Sequence, residues 1–85
     1  MKIIHIGFEN FVPKEKISMI LQIDSRPVNR LITNANKEQK LIDASHGKKR
    51  KSVILTTDGY VVLSHIAAKT LAKRFNSQVP DDEDM

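Results

Sequence analysis

Ser52-Val53-Ile54-Leu55-Thr56-Thr57-Asp58-Gly59-Tyr60-Val61-Val62-Leu63-Ser64 decides the fold. Two aliphatic, β-branched runs flank Asp58-Gly59, a pair that readily takes the positive φ angles of a tight hairpin turn. The pattern predicts two antiparallel strands. Just upstream, Leu41-Ile42-Asp43-Ala44 is a short apolar segment that predicts a brief further strand. Downstream, Ala67, Ala68, Leu71, Ala72 and Phe75 share one helical face while Lys69, Lys73 and Arg74 share the other, so the spacing predicts a helix over 65–75.

Towards the N-terminus, Ile17, Met19, Leu21 and Ile23 alternate with polar residues and predict a strand over 16–23 with one buried face. Ile20 falls on its other side and is expected as a stray exposed side chain, with a subunit contact as the alternative. Ile4, Ile6 and Phe8 share one face of a first strand over 2–8, which Glu9-Asn10 and Pro13 punctuate. Asp24-Ser25-Arg26-Pro27 reads as a helix start, with a capping side chain followed by a proline that sets φ within the first turn. Val28, Leu31, Ile32 and Ala35 then follow helical spacing, Asn29, Arg30, Thr33 and Asn34 occupy the opposite face, and the helix is expected to end near Lys40. The sum is an α+β fold: one small domain over 1–76, an antiparallel sheet with two helices, followed by a disordered acidic tail over 77–85.

Composition narrows the function classes. The 85 residues are 40% apolar and 28% charged, which suits one globular domain with a modest core. No cysteine is present, so a disulfide scaffold and thiolate metal sites are excluded, and a cytoplasmic setting is expected. No apolar run has the length of a signal peptide or a membrane span. The net charge of +4 understates the basic character of the domain, because Asp81, Asp82, Glu83 and Asp84 lie in the tail. Residues 1–80 hold fourteen bases against six acids, a difference of +8. Such a field attracts polyanions, nucleic acid first.

That charge concentrates in Asp43-Ala44-Ser45-His46-Gly47-Lys48-Lys49-Arg50-Lys51-Ser52. Lys48, Lys49, Arg50 and Lys51 repel one another unless a polyanion or solvent screens them, and Gly47 lets the backbone come close to a phosphate chain. Either Arg50 reads a base edge while the lysines hold phosphates, or the reverse. About half of these side chains are expected to face any one surface, as in an extended loop. Asp43, Ser45 and His46 invite a catalytic triad, but members so close in one segment do not converge on a point, and no catalytic residue is assigned. His5, His46 and His65 lack metal-ligand spacing, and the paired glycines of a P-loop are absent, so neither a metal nor a cofactor is expected. An RNA-binding module is the alternative, although Phe8, Phe11, Tyr60 and Phe75 give few stacking platforms.

Ile6-Gly7-Phe8-Glu9-Asn10, Arg26-Pro27-Val28-Asn29-Arg30, Leu41-Ile42-Asp43-Ala44-Ser45-His46-Gly47 with its following bases, and Val61-Val62-Leu63-Ser64 together resemble the RemA family of bacterial extracellular-matrix and biofilm regulators. The resemblance implies a transcriptional regulator that binds double-stranded DNA and assembles into a ring-like homo-oligomer, cytoplasmic and nucleoid-associated, with no membrane partner. It places the family's basic pair on Lys48 and Lys49, a further base on Lys51, a basic strand-start position on Lys16 and the helix-opening proline on Pro27. The family favours arginine after the glycine, whereas this chain has lysines there and an arginine at position 50. Lysine keeps the charge and loses the planar fork that grips guanine bidentately. The acidic tail is expected to act as a solubilising terminus, or to fold back over the basic loop and compete with DNA.

Overall fold

A computed structural model describes residues 2–76, and the acidic tail expected to be disordered lies outside them. The hairpin is present as β5 (Ser52–Thr56) and β6 (Val61–Ser64), paired antiparallel with Val53 opposite Leu63. Its turn is wider than a two-residue reversal. Gly59 alone takes a positive φ, +89°, while Gly59 N–H donates to the Thr56 carbonyl and Thr56 N–H to the Tyr60 carbonyl. This is a turn closed by a left-handed glycine, a common hairpin variant with a longer loop.

Around the hairpin the chain builds a four-stranded sheet in the order β3-β5-β6-β4. Strand β3 (Ile17–Gln22) runs antiparallel to β5, and the short β4 (Leu41–Asp43) runs parallel to β6, so the sheet is mixed. Helix α1 (Arg26–Lys37) is the connection between β3 and β4. Ser25 caps it by accepting the Val28 N–H at 3.3 Å, and Pro27 sits in its first turn, as the sequence predicts. The helix stops at Lys37, short of the expected Lys40. Gln39 turns left-handed at φ +60°, Gln39 N–H donates to the Asn36 carbonyl, and Lys40 N–H donates to the Ala35 carbonyl at 2.8 Å. These bonds form a Schellman motif and absorb the helix's last carbonyls.

The sheet is covered on both faces, which overturns the expectation of a single buried side on β3. Val53, Leu55, Val61 and Leu63 pack with Val28, Ile32 and Ala35 of α1. Ile54 and Val62 point the other way, into a cluster with Ile4, Ile6, Val12 and Leu71. A register shift between Ile17 and Met19 swings Ile17 onto the same face as Ile20, and both pack against that second cluster. Ile20 is therefore core-directed, and Met19 is the exposed one, at 49%. Alternation alone could not reveal this, because the bulge changes phase in mid-strand.

The second face is covered by a separate hairpin and by α2 (Ala68–Asn76). Strand β1 (Ile3–Gly7) pairs with β2 (Asn10–Pro13), a strand at a place where the sequence predicts only a break and a turn. Phe8 and Glu9 form the turn between them, both with positive φ, so Phe8 leaves the Ile4/Ile6 face and is exposed. Helix α2 begins three residues later than expected. Ile66 N–H donates to Ser64 Oγ and the Ile66 carbonyl accepts from Ser52 Oγ, which holds the preceding segment in a bend. Among the described residues no helix is long and apolar enough to cross a membrane.

Candidate functional site

The basic loop joins β4 to β5 across the end of β6, and both of its stems are tied to that strand. Ala44 N–H donates to the Leu63 carbonyl at 2.9 Å, and Lys51 N–H donates to the Ser64 carbonyl at 2.8 Å. Between these anchors His46 and Gly47 take φ of +56° and +81°, and Lys48 N–H closes the reversal on the Ser45 carbonyl at 3.0 Å. Two successive left-handed residues make a primed turn, and the glycine accepts this geometry without cost from a Cβ. No atom outside its immediate neighbours comes within 4 Å of where a Gly47 Cβ would sit, so the backbone there is open to a ligand.

Asp43 sets the loop's shape. Its Oδ1 accepts both the Ser45 N–H, at 2.9 Å, and the Ser45 hydroxyl, while Oδ2 lies 3.8 Å from an Arg50 guanidinium nitrogen. The Ser45 hydroxyl and then the Ser45 N–H hold the Asp43 carboxyl below its ordinary range; burial opposes them, and Arg50 adds a still smaller lowering. The contact that suggested a triad is thus a turn anchor. Ser45 is buried with its proton donated to a carboxylate, and the His46 ring packs instead on Phe8, at 4.8 Å between centroids. Phe8 also packs against His65, with 4.7 Å between centroids. Gly7 makes this stack possible, because a Cβ there would stand 2.5 Å from the His65 ring.

Three of the four loop cations converge. Lys49, Arg50 and Lys51 line one groove of about 400 Å³ together with Gln22, Ile23 and Asp24 from the end of β3, and Ala67, Ala68 and Lys69 at the start of α2. This exceeds the half expected of an extended loop, because the primed turn ends at Lys48 and the chain then bends back into β5. Lys48 is exposed at the turn itself and is not part of the groove lining. Lys16 lies elsewhere. Its carbonyl accepts from Thr57 N–H, beside the β5–β6 turn, at the opposite end of β5 and about 20 Å along the strand from Lys51.

Lys69 is a groove cation that the charge run at 48–51 does not predict. It stands on the polar face of α2, eighteen residues from Lys51, and only the bend at 65–67 brings it across. Phe8 and His65 were likewise missed, because the stack joins three segments distant in sequence. Among the described residues no cluster of histidine, cysteine or acidic side chains has the arrangement of a metal site.

Residues 3–75 match the family model for RemA-like proteins, described as extracellular matrix regulatory protein A-like. A protein of Acaryochloris marina is 42% identical over 77 residues, covering 91% of this chain and 88% of its own length. One from a Cyanothece species is 40% identical over 75 residues, with 88% and 82% covered, and one from Geobacillus thermodenitrificans is 40% identical over 74 residues, with 87% and 85% covered. The names of all three begin "Putative regulatory protein". With a family match over nearly all of the described residues, and with relatives of this identity aligned along most of their own length, the chain belongs to the RemA-like family.

Proposed function

We propose that this protein is a non-enzymatic transcriptional regulator that binds duplex DNA through the basic groove, and that it does so as a ring-like homo-oligomer. The observation that carries the reading is the convergence of Lys49, Arg50, Lys51 and Lys69 on one groove whose lining includes a single acid, Asp24. Like charges gathered this way are unfavourable alone and favourable against a phosphate backbone, where each contact releases counterions. Lys48 extends the surface at the turn, and Lys16 offers a separate phosphate contact at the far end of the sheet. The family's description points to extracellular-matrix genes as targets, and a DNA-bound regulator works at the nucleoid.

Assembly has its own physical support. Both outer strands of the sheet, β3 and β4, have a free edge among the described residues, and each carries an exposed apolar side chain: Met19 at 49% and Ile42 at 47%. Met19 pairs with Leu55 and Ile42 with Val62, so the two side chains occupy opposite faces at opposite edges. Two different patches at opposite edges suit head-to-tail contact, the type that closes rings. Repetition then raises the avidity of a loop that binds weakly as a single copy.

The experiment is duplex binding across a salt series, comparing the intact protein with Lys49→Gln/Arg50→Gln/Lys51→Gln. Losing three phosphate contacts is expected to lower the log–log salt slope by about 2 to 3 and to weaken binding at least tenfold at low salt. Unchanged affinity and slope, or a preference for single-stranded RNA over duplex DNA in the intact protein, contradicts the proposal.

A further inference from the structure

Helix α1 carries a second polar surface that the basic groove does not use. Arg26, Asn29, Arg30, Thr33 and Asn34 are exposed and line one shallow depression of about 310 Å³. At 3.6 residues per turn they form a continuous stripe opposite the buried Val28 and Ala35, and Lys37 extends it. The helix contains three bases and no acid. Exposed helix faces gain stability by pairing acids and bases three or four residues apart, and this face forgoes that. Thr33 donates its hydroxyl to the Asn29 carbonyl at 3.0 Å. The side chains of Arg26, Asn29, Arg30 and Asn34 make no hydrogen bond or ion pair with the described residues.

The residue types match a particular occupant. Arginine presents a planar fork complementary to guanine O6 and N7, and asparagine a donor–acceptor pair complementary to adenine N6 and N7. From Arg26 to Asn34 the stripe runs about 12 Å along the axis, and an α-helix about 10–12 Å across with its side chains fits the B-DNA major groove, about 12 Å wide. It also begins beside the phosphate site. Arg26 is two residues from Asp24, which lines the basic groove, so the two surfaces are separated by about 7 Å of chain at most.

We infer that the outer face of α1 enters the major groove and reads base edges through Arg26, Asn29, Arg30 and Asn34, while residues 49–51 hold the adjacent phosphates. The inference rests on the DNA-binding reading above and locates sequence preference within it. The basic loop, rich in lysine, supplies affinity, and the helix supplies discrimination. Pairing this face with the same face of a second copy is unfavourable, since it sets three bases against three with no acid between them, and the head-to-tail contact proposed above uses the Met19 and Ile42 edges instead.

The test starts from a duplex enriched from a random pool by the intact protein, and measures affinity for it and for a scrambled duplex. The charge-neutral variants Asn29→Ala and Asn34→Ala, and the double variant, are expected to reduce the preference for the enriched sequence about tenfold per lost bidentate contact. Affinity for the scrambled duplex and the salt slope are expected to stay unchanged. Retention of full preference in the double variant overturns the inference, as does failure of the intact protein to enrich any sequence while still binding duplex DNA. A change in oligomeric mass in these variants also overturns it, because the face is then a contact between copies. Absence of all duplex binding by the intact protein removes the DNA-binding reading itself, a result distinct from the others.

Discussion

Asp43 links the fold to the basic groove at the scale of one side chain. It ends β4, accepts two hydrogen bonds from Ser45 and faces Arg50, so the turn and one groove cation share an anchor. Its ionised form is favoured in the folded state, chiefly by the Ser45 hydroxyl and then by the Ser45 N–H and Arg50. With a folded pKa below the unfolded value of about 3.9, its contribution is fully present above that pH and is lost as pH falls through the folded value. Thermal melts of the protein and of Asp43→Asn are thus expected to differ most near pH 7, with the gap narrowing towards pH 2. A gap that stays constant over this range contradicts the role. The loop itself was legible in the sequence because its charges are contiguous. Lys69 was not, since its place in the groove depends on a bend stabilised by Ser52 and Ser64 hydroxyls.

At the scale of the element, α1 ends in a Schellman motif with Gln39 in the left-handed position that glycine occupies most readily. A side chain there carries conformational strain. Gln39→Gly is expected to stabilise the domain by about 0.5–1 kcal/mol and to raise Tm by a few degrees. A lower Tm in calorimetry contradicts this account of the helix end. The start of α1 was readable from Ser25 and Pro27, whose chemistry is local. Its end was not, because Gln39 is an uncommon residue for the bond pattern it completes. Strand β3 makes the same distinction. Its existence followed from alternation, but the assignment of Ile20 failed, since the bulge before Met19 and the cover provided by β1, β2 and α2 are tertiary facts.

For the whole molecule, the mixed sheet separates two kinds of surface. One cluster seats α1 and the other seats the β1–β2 hairpin and α2, while the segment leading into β5 and the start of α2 bring their cations to one groove beside the end of β3. The outer strands β3 and β4 leave Met19 and Ile42 exposed at opposite edges of the sheet. The α+β class and the basic loop were legible from one hairpin and one charge run, whereas the groove joins segments more than forty residues apart and emerges only in three dimensions. The proposal made above is that copies of this groove act together on duplex DNA. Mass in solution, measured by light scattering for the intact protein alone and with duplex DNA at low salt, tests this most directly. The prediction is a homo-oligomer whose mass increases on adding duplex and returns to its free value as salt is raised. A monomer, or an oligomer whose mass is unaffected by duplex at low salt, contradicts it.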